Sequence, residues 1–205
     1  MTNETLITER KQLSAEERNT DSTLVFGFWM YLMGDFLLFA TLFATYAVLR
    51  NNTFGGPAGS AIFNLPFVLI ETVLLLTSSF TCGLSLLAAR NGKMRRVVGW
   101  LIATAVLGIS FVSLEFSEFA NLIASRNGPA RSGFLSSYFT LVGVHGLHVL
   151  VGSIWLGALI LAISLRGLTR ANMRKLALWS LFWHFLEIVW IFIFVIVYLL
   201  GVIYP

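Results

Sequence analysis

Charge is scarce in this chain, and that scarcity excludes a water-soluble fold. Only 12% of the 205 residues are charged, against 57% hydrophobic, roughly half the charged share of an ordinary soluble domain. With a mean hydropathy of +0.82, the chain has too little polar surface to cover itself in water. Cysteine is almost missing as well. Cys82 stands alone in an apolar run, so one chain can build neither a disulfide framework nor a thiolate metal site. Acidic residues vanish from the loops after Asp21. No internal repeat is visible. Residues 1–22 carry eight charged groups and no apolar core of their own, so no cleavable signal peptide is expected.

What remains is a set of long apolar runs, each longer than the ~20 residues that cross a bilayer. They predict an all-α membrane protein, a bundle of five transmembrane helices. The spans are expected at about 24–49, 66–89, 97–123, 133–165 and 176–204, with residues 1–23 a polar tail and 24–205 the membrane domain. Within the tail, Ser14 to Glu17 matches a capping box, so the tail reads as mobile or as a short helix on the membrane surface. Gly55 to Pro57 and Gly128-Pro129 mark loops, and Pro66 suits a first helical turn. The net charge of +4 does not point to nucleic acid, because the basic residues fall in clusters between apolar runs. Three lie in the tail and eight in the loops around residues 90–96 and 166–175, which makes 11 of the 14 on one side of a five-span chain. By the positive-inside tendency the N-terminus is expected in the cytoplasm and the C-terminus outside. Trp29, Trp100 and Trp179 lie near predicted span ends, where interfacial aromatics belong.

The five carboxylates that remain after Asp21 all fall within spans: Asp35, Glu71, Glu115, Glu118 and Glu187. So do the three histidines, His145, His148 and His184. An ionisable group facing lipid at mid-helix costs roughly 2.5–3.5 kcal/mol on insertion scales, so these groups must turn inward. Glu115 and Glu118, His145 and His148, and His184 and Glu187 are each three apart, so each pair shares a helix face. Glu71, Ser78, Cys82 and Ser85 form a small-polar stripe suited to close helix contact. Gly143, Gly146, Gly152 and Gly157 let a neighbouring backbone approach the fourth span.

Three chemistries compete for this seam. A di-metal carboxylate site wants Glu with Glu-x-x-His pairs, whereas here the order is Glu-x-x-Glu and His-x-x-Glu. Haem ligation wants facing histidines, whereas His145 and His148 share one helix. A structural seam asks only that each imidazole and carboxyl find a hydrogen-bond partner. Asp35, with no ionisable neighbour on its own helix, is open to two roles, proton movement or a helix contact.

Taken together, these stretches resemble subunit III of the haem-copper oxidases. The matching pieces are Phe182-Trp-His-Phe-Leu-Glu-Ile-Val-Trp190, Gly143-Val-His-Gly-Leu-His-Val149 with Gly152-Ser153, the Glu115/Glu118 pair and the Asp35 segment. The seven-helix members that use cytochrome c hold lipid in a cleft built on two leading helices that have no counterpart here. The five spans, the loop 52–57 and Leu65 to Thr72 are instead similar to the cytochrome o type of ubiquinol oxidase. That resemblance implies a non-catalytic subunit with no metal or cofactor of its own, with room for a bound phospholipid or quinone. It would pack beside subunit I, which holds the haems and copper, together with subunits II and IV, in a bacterial inner membrane. Its expected role is to support the assembly, stability and proton uptake of subunit I. An independent proton-coupled transporter is the alternative, although such proteins show repeats and broken helices that are not seen here. A self-contained metalloenzyme is the third reading.

Overall fold

The computed structural model describes residues 3–57 and 59–203, with side chains from residue 22 onward except that of residue 61. Helix α1 (Asn3–Leu49) is followed by a single turn, α2 (Gly59–Ile62), then by α3 (Leu65–Arg90), α4 (Met94–Ala124), α5 (Gly133–Arg166) and α6 (Arg170–Ile193). The last run continues through a widened π turn at Phe194–Leu199 into α7 (Leu200–Ile203). Among the described residues five helical runs are long and apolar enough to span a membrane: Ser22–Leu49, Leu65–Arg90, Met94–Ala124, Gly133–Arg166 and Arg170–Ile203. This is an all-α, multi-pass membrane fold.

Two helices begin earlier than their hydropathy alone suggests. Asn3 to Leu49 is one helix, because no glycine or proline interrupts residues 3–26 and Glu, Lys, Arg, Leu and Ala favour helix. The last long helix starts at Arg170 rather than near Leu176. Thr169 sets that start: its hydroxyl accepts from the Asn172 N–H at 3.2 Å, satisfying one orphan donor of the first turn. The Asn172 side chain donates back to Gly167 O at 2.8 Å, and Gly167 takes the left-handed φ of +72° that closes the turn. Ser132 caps α5 in the same way, accepting from Leu135 N at 3.2 Å.

The chain forms two compact units, one up to Leu38 and one from Phe39 on. In the second unit α3 packs on α4 and α6, α4 on α5, and α5 on α6. Large apolar residues such as Phe80, Phe116, Leu147, Ile154 and Leu165 point outward, as lipid contact requires. Lipid is as apolar as leucine, so burial does not drive these helices together; close packing and interhelical hydrogen bonds must. Tryptophans on α6 supply both. Trp179 Nε1–H donates to Gly152 O at 2.9 Å, Trp183 to Ser78 Oγ at 2.8 Å, and Trp190 to Thr72 Oγ1 at 3.1 Å. Trp179 is thus no interfacial aromatic. It lies nine residues inside α6, fully buried, and stacks on Trp183 with ring centres 5.2 Å apart. Trp29 and Trp100 remain exposed. A Cβ on Gly108 would lie 2.8 Å from the Trp183 ring, so α4 can come this close only because position 108 has none.

Candidate functional site: a buried polar seam

The seam divides along the bundle into chemically different halves. Toward the α3–α4 turn the polar groups are small and neutral, and most are bonded. Thr81 Oγ1 meets Thr104 Oγ1 at 2.8 Å, Cys82 Sγ–H donates to Ser180 Oγ at 3.3 Å, and Ser85 donates to Cys82 O at 2.7 Å. Glu71, Ser78, Cys82 and Ser85 are all fully buried, because their spacing of seven, four and three keeps one face of α3 toward α6.

Toward the other membrane face the groups are ionisable. Glu71 of α3 is fully enclosed, and neither of its carboxyl oxygens has a hydrogen-bond partner. Glu115 of α4 is 3% exposed with Oε1 unpartnered. Its carboxyl rests against α5 where Gly146 lacks a side chain; a Cβ there would stand 2.6 Å from both oxygens. Glu118, one turn on, accepts from Tyr198 Oη–H at 3.1 Å, and Tyr198 Oη lies 3.0 Å from Tyr138 Oη. The three carboxyls and two phenols lie within mutual electrostatic range. The π turn explains how Tyr198 gets there. An inserted residue shifts the face presented by the following ones, so the consecutive Val197 and Tyr198 are both fully buried. The Val197 carbonyl accepts from Tyr46 Oη at 3.4 Å.

The histidines differ from one another. His145 is fully buried, stacked on Trp190 at 5.3 Å and edge-on to Phe111 at 6.0 Å and Phe39 at 6.3 Å, with both ring nitrogens unpartnered. His148 is half-buried, with Nδ1 2.7 Å from Val144 O one turn back. His184 Nδ1 lies 3.4 Å from Glu187 Oε2, and the imidazole is 42% exposed. Asp35 is half-buried on the first unit's stretch of α1. Among the described residues no three His, Cys, Asp or Glu side chains gather so as to hold a metal ion. Three aromatic rings close around His145. The sequence reading missed Tyr138, Tyr198, Trp183 and Trp190. The tryptophans could have been found from their spacing: 179, 183 and 190 fall four and seven apart, on one face of α6, where each N–H needs an acceptor.

Comparison with known proteins places this arrangement. Residues 4–202 match the profile described as cytochrome c oxidase subunit III. The chain belongs to that family. It is 55% identical over 177 residues to cytochrome bo(3) ubiquinol oxidase subunit 3 of Pseudomonas aeruginosa, covering 86% of this chain and 85% of that one. The corresponding subunit of Buchnera aphidicola is 45% identical, covering 91% and 96%. Quinol oxidase subunit 3 of Bacillus subtilis is 44% identical, covering 86% and 87%. These three relatives are named for quinol.

Proposed function

We propose that this chain is subunit III of a bacterial haem-copper quinol oxidase, a non-catalytic member of a complex that couples quinol oxidation and oxygen reduction to proton translocation. The 55% identity to the Pseudomonas aeruginosa subunit, over most of both chains, carries this reading. In it the haems and copper belong to subunit I. This chain packs beside that subunit, together with II and IV, in the inner membrane with its N-terminus in the cytoplasm, where the clustered basic residues favour it. Asp35, Glu71, Glu115, Glu118, His145, His148, His184 and Glu187 form a polar seam whose members are structural or proton-linked in support of subunit I. Asp35 is the first candidate for the proton-linked part. Affinity purification of the tagged chain from its own membrane tests the assignment: a larger haem-bearing protein should come down with it in equal amount, and recovery of the chain alone would overturn it.

A further inference from the structure

A cavity of about 360 Å³ opens beneath the loops that join α1 to α3 and α4 to α5. It has room for several waters, and its walls supply the two to four polar partners that an ordered water needs. Asn64, Asn121, Ser125 and Asn127 line it, and Glu118 forms part of its wall. From Glu118 a hydrogen-bonded path leads inward, to Tyr198 Oη at 3.1 Å and on to Tyr138 Oη at 3.0 Å. Within electrostatic range of Glu118 are the enclosed carboxyls of Glu71 and Glu115, which have oxygens that no protein group satisfies. Buried polar atoms of that kind are normally bonded to water when not to protein. Two independent observations thus meet at Glu118: a polar cavity that it lines, and enclosed acids within electrostatic range of it that have unpartnered oxygens.

We propose that this cavity is a water-filled inlet through which Glu118, Tyr198 and Tyr138, beside the enclosed acids Glu71 and Glu115, exchange protons with the aqueous phase on that membrane face. Each hop balances: a phenol oxygen accepts a proton on one side and releases its own on the other, so the tyrosine keeps one hydrogen and no charge is left behind. The ionisable groups facing this path are Glu71 from α3, Glu115 and Glu118 from α4, Tyr138 and His145 from α5, and Tyr198 from the π turn. From α1, Tyr46 approaches, with its hydroxyl held by Val197 O. At the mouth Arg131 donates to Asn127 Oδ1 at 2.6 Å and to Arg126 O at 3.2 Å. This inlet opens on the face away from the clustered basic loops, and it rests on the proton-linked reading of Glu71, Glu115 and Glu118 proposed above, to which it adds a route and a membrane face.

Infrared hydrogen–deuterium exchange on the intact purified complex in lipid nanodiscs tests the inlet. The Tyr138 and Tyr198 hydroxyl bands are assigned from Tyr138→Phe and Tyr198→Phe difference spectra. Both should exchange well before the amide protons of the enclosing helices, and Asn121→Trp or Ser125→Trp, which fill the exposed mouth, should slow that exchange by about tenfold or more. Asn121→Cys should also react with a water-soluble, membrane-impermeant maleimide, since the chain's own Cys82 is buried. Bands that exchange no faster than the helix amides, a rate indifferent to the plugs, or an unreactive Cys at 121 would each overturn the proposal.

Discussion

The two halves of the seam are built from the same helices, yet they handle polarity in opposite ways. Around Ser78, Thr81, Cys82 and Ser85 the polar atoms are neutral and, Ser79 Oγ apart, paired, and indole N–H groups on α6 reach across to α3 and α5. Around Glu71 and Glu115 the groups are ionisable and leave oxygens unpaired. The first pattern is what holds helices together where lipid offers no hydrophobic drive. The second is a poor fastener, since an enclosed acid without a partner costs stability rather than adding it. The difference fits the proposal that the carboxyl half serves proton exchange rather than holding the bundle shut.

Substitutions can break or sharpen that contrast. Trp183→Ala should be the most damaging, because it empties a fully buried site and strips Ser78 of its donor; a loss of about 3–5 kcal/mol is expected, read as lowered accumulation and an earlier thermal transition. Ser78→Val replaces the hydroxyl with a methyl, adds a second, and leaves the Trp183 N–H unsatisfied inside the bundle, which should cost about 1–3 kcal/mol, measured by the same transition. Tyr198→Phe removes the bond to Glu118 and the contact with Tyr138 while keeping the ring packed at a tilt against Phe63, centres 4.8 Å apart. A cost of about 1 kcal/mol is expected, checked by chemical unfolding in detergent. Smallest of all, His184→Gln breaks a long and half-exposed pair and should shift stability by no more than ~0.5 kcal/mol, within the scatter of repeated melts.

Much of the fold was legible in the residues because the signals were long or local. Five apolar runs gave five membrane helices, since crossing a bilayer needs a run of a length that chance seldom produces. Glu71, Ser78, Cys82 and Ser85 could be placed on one face from spacing alone, and all four are enclosed. The start of α6 was missed because hydropathy marks where a helix enters lipid, whereas Thr169 caps it in the polar loop before that. Trp179 was misread for the same reason: measured from Arg170 it is deep, measured from Leu176 it is near an end. The π turn at Phe194–Leu199 has no local marker at all, neither proline nor glycine. With the register unbroken, nothing in the sequence brought Tyr198 to Glu118. Nor could spacing within one helix reveal that Gly146 exists for a carboxyl on its neighbour, a tertiary contact between α4 and α5.

The most direct test replaces both enclosed acids at once with an apolar side chain of similar size, Glu71→Met with Glu115→Met, and follows the thermal transition of the purified complex. If the carboxyl half does not fasten the bundle, the transition should stay where it is or rise, by the equivalent of up to ~1–4 kcal/mol. A fall as large as that of Ser78→Val would show that these acids hold the helices together after all, and the contrast between the two halves would be lost.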